Sequence, residues 1–65
     1  MDLTIIIPLL NEAESLPELH RWIEKVFTTE NLSYEILFID DGSTDDSWQV
    51  ISHLCQTSTA TKGIR

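Results

Sequence analysis

Ile36-Leu-Phe-Ile-Asp-Asp-Gly-Ser-Thr-Asp-Asp-Ser47 is the stretch that decides the fold. Four apolar residues run directly into two adjacent carboxylates, a glycine and a cluster of helix-capping residues. The pattern describes a buried strand that ends in an acidic tight turn and opens a helix. In open α/β sheets the ligand crevice lies just beyond the carboxyl ends of the strands. Asp40 and Asp41 therefore fall where such a fold keeps its chemistry.

Working outward, Leu3-Thr-Ile-Ile-Ile-Pro-Leu9 is a second apolar run without alternation, as expected of a parallel strand flanked on both faces. Pro8 belongs at its end, where no ladder donor is needed. Ser15-Leu-Pro-Glu18 has the form of a capping box with proline in the first turn. The apolar stripe Leu16, Leu19, Trp22, Ile23, Val26 and Phe27 predicts a helix over 15–28, with Trp22 in the core. Thr29 to Ser33 is a polar connection and Tyr34 to Ile39 the second strand. Gly42 supplies a backbone free to take positive φ. Ser43 and Asp46 form a second capping pattern, and Trp48, Ile51, Leu54 and Cys55 mark a helix over 44–56. Thr57 to Thr61 reads as a loop, and Gly63-Ile64-Arg65 as the opening of a third strand.

The order is β-α-β-α with a further strand beginning. Parallel crossovers are right-handed in nearly all cases. Two that step the same way place both helices on one face, and the other face is left bare. The expectation is an incomplete α/β parallel sheet, with residues 1–65 the truncated N-terminal part of a larger α/β domain.

Composition limits the function classes. The chain has 65 residues, eleven acidic and four basic, for a formal charge of −7. That excess opposes binding to nucleic acid or to an anionic membrane surface through bulk electrostatics. A chain this short buries only ~60% of its unfolded surface. Cys55 is the only cysteine, so no internal disulfide is available, and it reads as a small core residue. No run approaches a membrane span, and the start lacks the regions of a signal peptide. The expected compartment is cytoplasmic. His20 and His53 lack partners at matched spacing and read as surface or boundary residues. Ser43 has no nucleophile elbow around it, which disfavours hydrolase chemistry.

The acidic turn has two readings. In the bland one Asp40 and Asp41 are solvated and Ser43, Thr44 and Asp45 cap a helix. In the functional one the repulsion between adjacent carboxylates is tolerated because something uses them. Glu12, at the end of the first strand, adds a carboxylate to the same rim. Carboxylates accept hydrogen bonds from ring N–H groups and ribose hydroxyls, so a base and ribose suit this rim better than a bare diphosphate. A diphosphate would need a divalent cation to screen it. Asp40 and Asp41, as sequence neighbours, do not by themselves form a metal site.

Thr4-Ile-Ile-Ile-Pro-Leu-Leu-Asn-Glu12 followed by Tyr34-Glu-Ile-Leu-Phe-Ile-Asp-Asp-Gly-Ser-Thr-Asp45 resembles the N-terminus of family 2 glycosyltransferases of GT-A fold. Asn11-Glu12 with Ser15-Leu-Pro-Glu-Leu19 is similar to the dolichol-phosphate mannosyltransferase and polyprenyl-phosphate glycosyltransferase branch. The resemblance covers essentially the whole chain. It implies an inverting enzyme that takes a UDP- or GDP-sugar and passes the sugar to a lipid phosphate or glycan acceptor. By that resemblance Pro8, Leu10, Glu12, Ile39 and Asp41 line the base and ribose site, and Asp40 supports the turn. Leu10 stands where many relatives have tyrosine. The resemblance also implies Mg²⁺ or Mn²⁺, held by an Asp-x-Asp motif, and a catalytic base, both downstream of Arg65. On this view the chain carries no catalytic residue and is inactive alone. Self-association of the isolated piece is expected from its bare face. The parent would work at the cytoplasmic face of a membrane, reached through C-terminal segments. The rivals are another α/β nucleotide binder, such as a nucleotidyltransferase, and a non-enzymatic interaction module with an acidic rim. The dinucleotide-binding version lacks a Gly-x-Gly-x-x-Gly after the first strand.

Overall fold

The computed structural model describes residues 3–65. Strand β1 (Leu3–Leu9) is followed by helix α1 (Leu16–Thr29), strand β2 (Tyr34–Asp40), helix α2 (Ser47–Thr57) and strand β3 (Thr61–Ile64). The three strands are parallel in the order β1-β2-β3. Leu9 pairs with Asp40, and Pro8 with Ile39 and onward to Ile64. The apolar runs thus become strands of one incomplete α/β sheet, and the third strand forms as a full element that starts at Thr61.

Strand side chains alternate between faces, and the two faces differ. Ile36 and Phe38 are fully buried and join Leu9, Leu16, Ile23, Ile51 and Leu54 in the core. Both helices lie on this face. From α1, His20 reaches Thr61 and stands 6.2 Å from the Phe38 ring. From α2, Ile51 and Trp48 press against Gly63, where an added Cβ would lie 2.5 Å from Ile51 Cγ2. Gly63 is required because the α2 side chains occupy the space a side chain would need. The opposite face has no covering layer. Ile6 and Ile64 are exposed there, beside half-buried Leu37 and Ile39.

Helix α1 ends in a Schellman motif: Leu32 N–H donates to Phe27 C=O, Asn31 N–H donates to Thr28 C=O, and Asn31 takes φ +56°. Phe27 then stacks on Tyr34 at 5.4 Å, joining the helix end to the start of β2.

Several expectations are corrected here. Trp22 is 65% exposed rather than core. The inner line of α1 is Leu16, His20, Ile23 and Phe27, whereas Leu19, Trp22 and Val26 lie along its flank, with no neighbouring element covering them. His20, expected at the surface, sits on the inner line and is buried. The first capping box does not form. Ser15 is the N-cap residue but makes no side-chain cap bond, and its hydroxyl donates to Glu12 instead. The second helix starts at Ser47 rather than Thr44, with Asp46 as N-cap and again no side-chain cap bond. Thr57 ends α2 and Thr61 opens β3, so the expected loop is shorter at both ends. Cys55 packs against the core as expected, and burial raises its thiol pKa despite the opposing charge of Lys62.

Candidate functional site

At the carboxyl ends of β1 and β2 two loops, 10–15 and 41–46, are laced together. Asn11 takes φ +53°, a left-handed conformation that asparagine tolerates better than most residues. This turns its side chain and its backbone toward the second loop at once. Asn11 Oδ1 accepts from Thr44 N–H at 2.8 Å and Asp45 N–H at 3.3 Å, while Asn11 N–H donates to Ser43 Oγ at 2.9 Å. Glu12 N–H donates to buried Ser47 Oγ at 2.9 Å, and Ala13 N–H to Asp45 Oδ2 at 3.3 Å. Ser43, Asp45 and Ser47, which look in sequence like helix caps, spend their side chains on this clasp. Asp45 does both jobs, since its Oδ1 also accepts from Ser47 N–H at 2.9 Å. The bonds from Ser47, foremost its side chain, hold the Asp45 carboxyl below the usual aspartate range.

Asp40 and Asp41 diverge. Asp40 is 4% exposed on the helix-covered side, and its Oδ1 accepts from Ser43 N–H at 2.8 Å. Ser43 lowers its pKa, its side chain contributing first and its backbone second, and the charge of Arg65 adds to the effect. Asp40 Oδ2 is buried without a hydrogen-bond partner. Asp41 is exposed, and its N–H donates to Leu9 C=O at 3.0 Å, so its position is fixed by the neighbouring strand end. Gly42 closes the turn with φ +86°, and nothing lies within 4 Å of where a Cβ would stand. A side chain there is excluded by backbone strain, and the space above the turn is open.

The sequence-derived residues are not all brought to one place. Pro8 and Ile39 are register partners on the bare face, with Ile64 next in line, and Leu10 is 52% exposed just past the end of β1. Asp40 points the other way, into the helix layer. Glu12 is exposed; its Oε2 accepts from Ser15 Oγ at 2.8 Å. It borders an open depression of ≈ 340 Å³ lined also by Asn11, Ala13, Glu14, Ser15 and Asp45. None of the other sequence-derived residues line it. Asn11, Ser43, Asp45 and Ser47 were missed as a unit. The available signal was the pairing of an Asn at one strand end with a Ser-Thr-Asp run at the other. Such a pairing is meaningful only once the strands are known to be neighbours.

Among the described residues no group of three or more histidine, cysteine, aspartate or glutamate side chains is arranged to hold a metal. Nor is any helix of the described residues long and apolar enough to cross a membrane.

Comparison with known proteins adds a family. The model of glycosyl transferase family 2 matches residues 4–65. An undecaprenyl-phosphate 4-deoxy-4-formamido-L-arabinose transferase of Klebsiella pneumoniae subsp. pneumoniae is 43% identical over 53 residues, covering 82% of this chain and 16% of the relative. The enzyme of the same name from Sodalis glossinidius is 49% identical over 49 residues, 75% of this chain and 15% of its own length. A putative glycosyltransferase CsbB of Bacillus subtilis is 40% identical over 62 residues, 95% of this chain and 19% of that protein. The chain thus spans less than a fifth of the curated relatives it matches.

Proposed function

The chain belongs to glycosyl transferase family 2, and on that premise we propose that it forms part of the donor-nucleotide site of an enzyme that transfers a sugar to a polyprenyl or dolichyl phosphate. The observation that carries this reading is the clasped rim. Two loops tied by reciprocal bonds hold exposed Asp41 against the end of β1. A carboxylate fixed in this way accepts a hydrogen bond from a base N–H or a ribose hydroxyl without first being ordered, which reduces the entropic cost of binding. Pro8, Leu10 and Ile39 offer apolar surface beside it for the face of the base. Asp40 supports the turn from below through Ser43. Glu12 closes the first loop around Ser15.

The donor in this reading is a UDP- or GDP-sugar. The acceptor class follows from relatives named as undecaprenyl-phosphate sugar transferases. A lipid acceptor would bring the whole enzyme to the cytoplasmic face of a membrane. The divalent cation and the catalytic base would come from residues outside this chain, which by itself turns over no nucleotide sugar. Its own residues bind and orient.

The test is a titration of the ¹⁵N-labelled chain with UDP and with GDP. Amide shifts are expected to concentrate at Leu10–Glu12 and Ile39–Ser43. Shifts at the opposite end of the sheet, or none at millimolar nucleotide, would overturn the assignment.

A further inference from the structure

Helix α1 carries a second apolar line that the fold leaves in water. Leu16, His20, Ile23 and Phe27 face the sheet, while Pro17 and Glu24 face α2 and the residues that follow it. Helix α2 covers β3. The opposite flank of α1 therefore looks out past the free edge of β1, and Leu19, Trp22 and Val26 lie exposed along it. Below them Ile5 and Ile7, which share the helix-covered face with their partners Ile36 and Phe38, are only half-buried. The spacing 19, 22, 26 is that of a coiled-coil seam, positions a, d and a. We propose that this flank binds a second copy of the chain, the two α1 helices packing antiparallel about a two-fold axis at Trp22.

Charge selects the partner. A two-fold interface must be complementary to itself. Glu18 and Lys25 hold the same position in successive heptads, beside the seam and on the side away from the sheet. With a rise of about 1.5 Å per residue, Glu18 lies about 6 Å before Trp22 and Lys25 about 4.5 Å after it. Antiparallel packing about Trp22 brings each Glu18 level with Lys25 of the other copy, to within about 1.5 Å along the helix. Parallel packing in register would set each of these residues level with its own like charge. Arg21 and Lys25, four residues apart, repel each other on a lone helix, and Glu18 of a second copy relieves that repulsion. The chain carries a formal charge of −7, and two of its four basic residues are these. Two copies therefore meet here with less like-charge repulsion than across the acidic rim.

The apolar side chains supply the attraction, and the charges fix orientation and partner. Each copy contributes one tryptophan, one leucine and one valine to the seam. A contact this small falls below the area of a stable interface, so the pair is a transient one. Half-association is expected at roughly 0.1–1 mM. The axis runs perpendicular to the sheet. The two carboxyl-end rims then point in opposite directions, and both stay open.

Sedimentation equilibrium of the 65-residue chain from about 10 µM to about 1 mM tests this, with circular dichroism to establish that each variant is folded. Glu18→Lys and Lys25→Glu each place like charges across the seam, and each alone should stay monomeric throughout. An equimolar mixture of the two should associate like the unaltered chain, because each supplies the charge the other lacks. Ile6→Thr, on the bare face of the sheet, should associate unchanged. An unaltered chain that is monomeric at about 1 mM, a mixture that stays monomeric, or association lost in Ile6→Thr and kept in Glu18→Lys would overturn the proposal.

Discussion

The two ends of the sheet use polar side chains in opposite ways. At the amino end Glu24, His20, Thr61 and Ser58 close a ring of polar contacts around buried His20 and Thr61. At the carboxyl end Asn11, Ser43 and Asp45 tie two exposed loops together, yet Asp41 is left exposed and Asp40 keeps one buried oxygen unpaired. Leaving a buried acceptor unpaired costs more than a hydrogen bond contributes. A closed ring therefore suits the end that holds the fold. The exposed carboxylate of Asp41 suits the end that meets a ligand. Both ends are built on the same three strands, so the contrast lies in side chains and not in backbone.

Removing the ring should have the largest effect. His20→Ala leaves Thr61 and Glu24 without their partner inside the helix–sheet interface. A loss of about 3 kcal/mol is expected, the upper end for an abandoned buried polar group. In a chain this small that is enough to unfold it, and urea titration followed by circular dichroism checks it. An unchanged midpoint would erase the distinction between the two ends.

Asp41→Asn should do the reverse, sparing the fold and weakening the ligand. Losing a charge-assisted acceptor should reduce nucleotide affinity roughly tenfold to a hundredfold. Calorimetry with UDP and GDP, on the protein at full family length, reads the affinity. Equal affinity would return the turn to a solvated helix cap.

Asn11→Ala cuts the clasp without touching the core. Thr44 and Asp45 N–H groups lose their acceptor but remain in reach of water, so a cost of about 1 kcal/mol is expected. Hydrogen exchange should quicken at 43–47 and stay unchanged in α1.

The carboxyl end should also respond to pH. Asp40 and Asp45 are held below the ordinary aspartate value of ~3.9. Their contribution is fully present above that value and is lost as pH falls through the depressed range. Protection of the Ser43 and Ser47 amides against hydrogen exchange should therefore fall in acid while that of α1 is unchanged. The smallest effect on folding is expected from Trp22→Ser in the dilute, unpaired chain, within ~0.5 kcal/mol, because there that side chain is mostly in water.

Much of the fold is legible along the chain. Ile-rich runs without alternation specify parallel strands, and the stripe from Leu16 to Phe27 specifies a helix, because these patterns depend only on local period and burial. The acidic turn around Gly42 is legible for the same reason: a glycine after two aspartates marks a bend that few other residues could make. The bare face also follows from two crossovers stepping the same way. Local pattern failed wherever a side chain had a choice of partner. Ser15, Ser43 and Asp46 read as caps, but Ser15 turns back to Glu12 and Ser43 crosses to Asn11. Trp22 and His20 read as core and surface and exchanged places. Helical period defines a stripe, but only the three-strand sheet decides which edge of that stripe is covered. The clasp and the ring join residues 32 to 41 positions apart. No local rule reaches that far, and only the tertiary structure brings those hydroxyls, amides and carboxylates within bonding distance.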